Sequence, residues 1–388
     1  MLWAPFLHIY QPPTQFKQVL SKITKESYFK IIQILKKGKG RKLTLNICAS
    51  LTEQLGESFP RVISELKKLV KSGQVELAGS AAYHPLLSKL PKTEIERQIK
   101  LNSEINKKYF GKFAPFGLFP PEMAYSPQVG DVLEDLGFTW VLLEEFAYPG
   151  VYIARDKLFK RRGKNLFIFF RERELSLKIA FSEINSIFKL KRYLGDELQR
   201  DGYLITAMDG ETFGHHQKGQ DKFLEELYKF SELPSVTVSE ILKSFTEVEE
   251  VEPILSSWGI SFEDCRAGRV YPRWDLSGNP LHKLQWKLTD LAIQSVNPTS
   301  LKLRGAGSKK FTKARKLLDK ALHSDQYWWA SHNPHWHYKM MMRGAEMLTE
   351  VVQTSPVASK NKKQQAVNLK DKITKLGLAL YGDTVIED

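Results

Sequence analysis

Seven short apolar runs, at 2–9, 43–49, 75–79, 115–119, 139–143, 166–170 and 204–208, alternate with amphipathic stretches through the first two-thirds of the chain. Runs of this length, bounded by polar and turn residues, fit buried strands better than helices. Strands that alternate with helices build β/α units around a parallel sheet. The stretches between them agree. Tyr28–Lys36 carries apolar residues at three- and four-residue spacing, and Phe59–Lys71 repeats that spacing with Val62, Leu66, Leu69 and Val70. Thr93 is expected to cap a helix over 93–109, with Glu96 completing a capping box. Ser126-Pro127 opens another helix, Ser as cap and Pro at the first helical position.

Seven strands within about 210 residues predict a seven-stranded (β/α) barrel over residues 1–270, with a hairpin insertion near 150–165. Past Pro272 the pattern changes. Leu281–Val296, Lys309–His323 and Gln326–Val352 are expected as three helices with no strand between them, a C-terminal helical domain over 271–353 packed on the barrel. Residues 354–388 are expected as a basic linker and terminal helix, the link polar over 354–365 and the helix near 368–380.

Charge needs weighing, because 58 Lys+Arg against 44 Asp+Glu leaves +14. The basic residues are scattered over Lys36–Lys42, Lys157–Lys164, Lys309-Lys310 and Lys360–Lys363 rather than gathered in an aromatic-laced stripe. They are taken as solvated surface, and no nucleic-acid partner is expected. Cys48 and Cys265 alone make neither a disulfide framework nor a paired-cysteine metal motif. Met1–His8 lacks a charged leader and no apolar run approaches 18 residues, so a cytoplasmic protein without membrane contact is expected.

Polar residues gather just past the strand ends: His8, Tyr10 and Gln11; Asn46; Tyr83-His84; Glu122; Glu144-Glu145; Arg171-Glu172; Asp209-Gly-Glu211. Enzymes built on β/α barrels keep their chemistry at that end. Pro120-Pro121 stiffens the approach to Glu122, which suits a nucleophile; a Glu capping the next helix is the plainer alternative. Asp209 and Glu211 fall on one face if the strand continues. Two like charges there raise the proton affinity of one, as a general acid requires. His215-His216 leave a metal site open, although adjacent histidines in an extended chain point apart. Of Trp328 and Trp329, one is expected in the core and the other along a cleft, where sugar rings stack on aromatic faces. His332-Asn-Pro-His335-Trp-His337 is weaker as a metal motif.

Four segments taken together, His8-Ile-Tyr-Gln11-Pro-Pro, Glu76 to His84-Pro85, Gly117-Leu-Phe-Pro-Pro-Glu122 and Asp209-Gly-Glu211-Thr-Phe-Gly214, resemble in sequence and order the motifs of glycoside hydrolase family 57. Tyr271–Trp286 and Ser324–Trp329 are also similar to that family's helical part. The resemblance implies a retaining mechanism on α-glucans, without metal or other cofactor, with an oligosaccharide or polysaccharide as partner. Glu122 would be the nucleophile and Asp209 the general acid/base. His8, Gln11, His84, Glu211, His215 and Trp329 would bind or orient the sugar. Two rivals stay open: a metal-dependent carbohydrate deacetylase using Asp209 and the nearby histidines, and a glycan-binding protein without turnover. Hydrolysis against transglycosylation, the glucan itself and the oligomeric state are open too.

Overall fold

The computed structural model describes residues 1–297, 306–332, 335–383 and 385–386. The chain forms two compact units. One comprises Met1–Gln11, Gln15–Ala82 and Leu87–Trp258; the other comprises Pro12–Thr14, Tyr83–Leu86 and Gly259–Asp388.

The first unit is α/β. Its strands are β1 (Leu2–Ile9), β2 (Leu43–Ile47), β3 (Val75–Ala78), β4 (Gly117–Leu118), β5 (Trp140–Leu143), β6 (Leu158–Arg161), β7 (Phe167–Phe170), β8 (Tyr203–Asp209) and β9 (Val248–Val251). They make two sheets, a parallel one in the order β3-β2-β1-β8 and a second in the order β4-β5-β7-β6-β9. Within the second sheet only β6 runs antiparallel to β7; this hairpin spans 158–170, so the sixth expected strand is itself one arm and, among the described residues, no separate hairpin is inserted over 150–165. A parallel bridge between Gly79 and Leu118 links β3 to β4, and Glu172 N–H donates to Ile205 O (2.7 Å) beyond the end of β7.

The alternation of a strand explains how the core divides. From β1, Trp3, Leu7 and Ile9 join a cluster with Leu43, Leu45, Ile47, Val75 and the apolar stripes of the helices. Ala4 and Phe6 join another, with Phe119, Trp140, Phe169, Ile205 and Ala207. Gly117 belongs to that second layer because the Trp140 indole fills the space a Cβ would need. The helices are α1 (Lys17–Ile23), a π-helical turn (Thr24–Tyr28), α2 (Phe29–Lys36), α3 (Ala49–Ser58), α4 (Pro60–Lys71), α5 (Lys92–Phe110), α6 (Pro127–Asp135), α7 (Arg173–Ala180), α8 (Ile187–Leu194), α9 (Gln220–Leu227) and α10 (Val238–Ser244). Ser126 caps α6 through Val129 N–H, as its sequence predicts. The capping box at Thr93 does not form. Pro91 is the N-cap of α5, which starts at Lys92 and so puts Thr93 inside the first turn.

The second unit holds α11 (Phe262–Arg266), α12 (Pro280–Gln294), α13 (Ala306–Ala321), α14 (Asp325–Trp328), α15 (Tyr338–Thr354) and α16 (Lys360–Tyr381), with α15 packed on α12, α13 and α16. Two expectations need correction. The helix expected over 326–352 is broken: His332 takes a left-handed φ of 61°, and a two-residue strand, β10 (Trp336–His337), pairs with β11 (Val385–Ile386). The polar link is also shorter than 354–365, because Ser359 accepts from Lys362 N–H and starts α16 at Lys360. Among the described residues, no helix is long and apolar enough to cross a membrane.

Candidate active site

His8 and Asn46, each one residue before the end of its strand, and Asp209, the last residue of β8, stand in direct register on three neighbouring parallel strands, His8 opposite Asn46 on one side and opposite Asp209 on the other. Parity puts all three on the face of Ala4, Phe6, Ile205 and Ala207, capping that apolar layer with polar groups. Asn46 Nδ2 donates to Gly79 O (3.0 Å), so its Oδ1 turns to His8 Nδ1 at 2.7 Å. That contact puts the His8 proton on Nδ1. The imidazole stacks on Phe119, ring centroids 4.7 Å apart. Asp209 is half-buried. Loss of water around it raises its proton affinity, against the pull of His8 and Arg171.

Arg171, just past β7, ties several parts together. Its Nη1 donates to Ala207 O (3.2 Å), its Nη2 pairs with Glu144 Oε2 at 2.6 Å, and its guanidinium lies 5.7 Å from the Trp258 ring centroid. Glu144 is wholly buried; burial raises its proton affinity, and Arg171 and Arg173 oppose that.

Glu122 is held differently. Pro120 is extended as expected, but Pro121–Met123 then tightens into a 3₁₀ turn. Glu122 and Met123 both have positive φ, 61° and 47°. Non-glycine residues pay about 1–3 kcal/mol each for such conformations and keep them only where their surroundings insist. Trp258 supplies that insistence twice: its backbone N–H donates to Glu122 O (2.9 Å) and its indole Nε1–H to Glu122 Oε2 (2.8 Å). The same indole meets the Phe119 and His8 rings edge-on, at 5.6 and 5.8 Å. Trp258 therefore connects the Glu122 turn to the His8–Asp209 strand ends.

Glu211 does not continue the strand. β8 stops at Asp209 and a 3₁₀ turn over Gly210–Thr212 follows, so strand alternation does not put the two acids on one face. The absent side chain of Gly210 makes room for Ile9 rather than for a ligand. Buried Glu211 accepts through Oε1 from Gln11 Nε2 (2.9 Å) and from the Tyr28 hydroxyl. Burial first, then the Asp209 charge, push its carboxyl up to about 8, with the Tyr28 and Gln11 donors opposing.

His215 is partly buried and meets Glu26 Oε2 through Nδ1 at 2.6 Å, which holds the Glu26 carboxyl below its usual range. The His215 and His216 rings lie 5.3 Å apart instead of pointing to opposite faces, since the chain turns here at Gly214 with φ 105°. His84 and Trp329 belong to the second unit. There His84, at φ 57°, meets Ser324 Oγ through Nδ1 at 3.0 Å, and its carbonyl accepts from Ser324 N–H. Trp328 and Trp329 are both half-buried and both lie against His335, so they do not divide into core and cleft. The fully buried ring is Tyr327, stacked on Trp286 at 4.3 Å. Of the expected His332–His337 turn, Asn333 and Pro334 lie outside the described residues.

Sequence reasoning missed Trp258 and Tyr28 as parts of this site. Trp258 stands alone in Ser256-Ser-Trp-Gly259 with no periodic pattern around it. Tyr28 reads as one more apolar position of a helix.

The chain is similar to known proteins at three levels. The alpha-amylase of Pyrococcus horikoshii is 26% identical over 213 residues, 54% of this chain and 33% of that protein. The 4-alpha-glucanotransferase of Thermococcus litoralis is 24% identical over 258 residues, 62% of this chain and 38% of that protein. This chain thus spans about a third of the length of these curated relatives. In fold it is similar to the crystal structure of a GH57-type branching enzyme from Pyrococcus horikoshii, with a TM-score of 0.73 at 16% identity over 97% of this chain and 94% of that one. Residues 6–254, well over half the chain, match glycosyl hydrolase family 57, and the protein belongs to that family.

Proposed function

We propose that the protein is a retaining enzyme acting on α-glucans, with Glu122 as nucleophile and Asp209 as general acid/base. The alpha-amylase and 4-alpha-glucanotransferase relatives support the substrate class. The observation that carries the pairing is the contrast in how the two carboxyls are held. Trp258 Nε1–H fixes one Glu122 oxygen in a strained turn, while Asp209 ends a strand beside His8 in surroundings that favour its protonated form.

In this reading a Glu122 oxygen attacks the anomeric carbon as Asp209 gives its proton to the departing glycosidic oxygen. The glycosyl group is then bonded to Glu122. Asp209, now a carboxylate, takes a proton from water or from a sugar hydroxyl, which attacks the same carbon and frees Glu122. His8, its Nδ1 engaged by Asn46, stands opposite Asp209 in register and acts beside it on the sugar. Gln11 and Glu211 act as a buried pair beside the acid, and His215 contributes at the rim. The same proposal treats residues 1–270 as a seven-stranded (β/α) barrel in the order β8-β1-β2-β3-β4-β5-β7. The Gly79–Leu118 bridge and the Glu172–Ile205 hydrogen bond support it. Residues 271–353 are its helical companion, and 354–388 its terminal segment.

The test is incubation of wild type and Glu122→Gln with maltoheptaose and separation of products by size. Shorter oligomers alone from wild type, and none from the variant, mean hydrolysis by this pair. Shorter and longer oligomers together mean glucanotransfer by the same pair. No product from wild type overturns the α-glucan reading, and an active variant overturns the role of Glu122.

A further inference from the structure

Between α1 and α2 the helix widens into a π-helical turn, Phe29 N–H bonding to Thr24 O five residues back. Such turns are rare and often lie at functional sites. This one does something a regular helix cannot. In an α-helix Glu26, Ser27 and Tyr28 would fan over more than half a turn. Here all three reach one loop. Glu26 meets His215, Ser27 Oγ donates to Gly210 O (2.7 Å), and the Tyr28 hydroxyl donates to Glu211. The turn therefore grips the loop that follows Asp209 at successive points, and Tyr28, only 3% exposed, is aimed at the carboxylate nearest to Asp209 in sequence.

We propose that Tyr28 is a positioning residue: presented by the π-helical turn, its hydroxyl governs the charge carried by Glu211 and, through that charge, the proton affinity of Asp209. This rests on the proposed role of Asp209 as general acid. Glu211 has two side-chain donors, Tyr28 and Gln11, and both meet the same oxygen. The charged form needs them, because it is buried and faces Asp209. The other charged and titratable groups around the loop are Glu26 from the turn, Lys22 from α1, Lys30 from α2, His8 from β1, His215, His216 and Lys218 after Glu211, and Arg171 beside Asp209. After burial, the Asp209 charge is what raises Glu211, and by reciprocity a charge on Glu211 would raise Asp209.

The sign follows directly. Without the Tyr28 hydroxyl a negative Glu211 is less favourable, so Glu211 stays protonated to higher pH. Asp209 then faces less negative charge and releases its proton at lower pH.

The experiment compares wild type with Tyr28→Phe in two ways. Carboxyl carbon NMR on protein labelled at glutamate reads the Glu211 titration, assigned by its loss in Glu211→Gln. The pH dependence of kcat/KM on maltoheptaose reads Asp209 on its basic limb. The Glu211 midpoint is expected to rise and the basic limb to fall, each by about half a unit to one unit. A Glu211 midpoint that does not move overturns the proposal, as does a basic limb that stays put while kcat drops, which would make Tyr28 merely structural. If Tyr28→Phe does not fold, Glu211→Gln must lower the basic limb, and a limb unmoved in that variant overturns the link from Glu211 to Asp209. The NMR comparison needs no substrate, so inactivity on glucans would defeat the proposed function while the Tyr28–Glu211 coupling is still decided.

Discussion

The Glu122 turn and the Asp209 strand end are two ways of fixing a carboxyl group. Asp209 inherits its position from sheet register. β8 pairs with β1 from Leu2 opposite Tyr203 through to His8 opposite Asp209, and each step makes the next nearly obligatory. Glu122 has little such support, since β4 is only two residues long. Trp258 holds its turn against its own backbone preference with both main chain and side chain, and Tyr125 N–H donating to Ser256 O adds a tie just beyond it. Register tolerates substitution at the end of a strand, because the strand stays paired. A strained turn depends on single contacts, and its accuracy can be lost one hydrogen bond at a time.

The largest expected effect tests whether the two carboxyls differ in chemistry as well as in support. Glu122→Gln should lower maltoheptaose turnover by at least about 10⁴-fold, as loss of a nucleophile does elsewhere. Asp209→Asn should cost a similar factor on maltoheptaose but about 10²-fold less on α-glucosyl fluoride, whose leaving group needs no proton. Equal losses on both substrates, read from fluoride release and product size, would erase the distinction.

A smaller effect concerns the scaffold shared by both regions. Glu144→Gln removes the charge facing buried Arg171 and should destabilise the protein by about 3 kcal/mol in denaturant unfolding. A change within experimental error would mean that Arg171 finds compensation among its contacts with Ala207 and Trp258. Smaller again is Trp258→Phe, which keeps a ring but deletes the donor to Glu122 Oε2. A charge-assisted hydrogen bond is worth about 1.5–3 kcal/mol, so kcat should fall about 10- to 100-fold with a lesser change in KM. If Asp209 variants showed the same sensitivity to the indole, the two supports would not be independent.

A further effect, read as a slope, is on stability against pH. The folded carboxyl of Glu211, pushed up to about 8, binds its proton where the unfolded chain, near 4.5, does not. Folding is then favoured below about 4.5 and loses that contribution as pH rises towards 8. Between pH 5 and 8 wild type should lose more thermal stability than Glu211→Gln. Parallel melting curves for the two proteins would contradict the buried, raised carboxyl.

The sequence made the strand ends legible because an apolar run broken by a polar residue is a local signal. His8, Asn46, Glu122 and Asp209 all stand at such breaks. Residues whose importance comes from packing over long sequence distances gave no local signal. Trp258 lies 136 positions from its Glu122 partner, and Tyr28 matters only because a π-helical turn changes which way it points. β9 was missed because Val248-Glu-Glu-Val251 lacks the apolar character of a central strand; it is a charged edge beside β6. The helix expected from Gln326 onward failed at His332, where the backbone turns left-handed; Pro334 two residues on is a local breaker that the apolar spacing on either side outweighed.

The paired left-handed residues at 122 and 123 also bear on how such a chain changes over generations. Asparagine or glycine at 122 would relieve about 1–3 kcal/mol of backbone strain. Against that relief stands the hydrogen bond from Trp258 Nε1–H to Glu122 Oε2, which either substitution gives up, so strain and bond pull the position in opposite directions. Glu122→Asn, measured for unfolding temperature alone, weighs the two: a more stable protein means that the strain outweighs the bond and that the fold alone would not keep the glutamate.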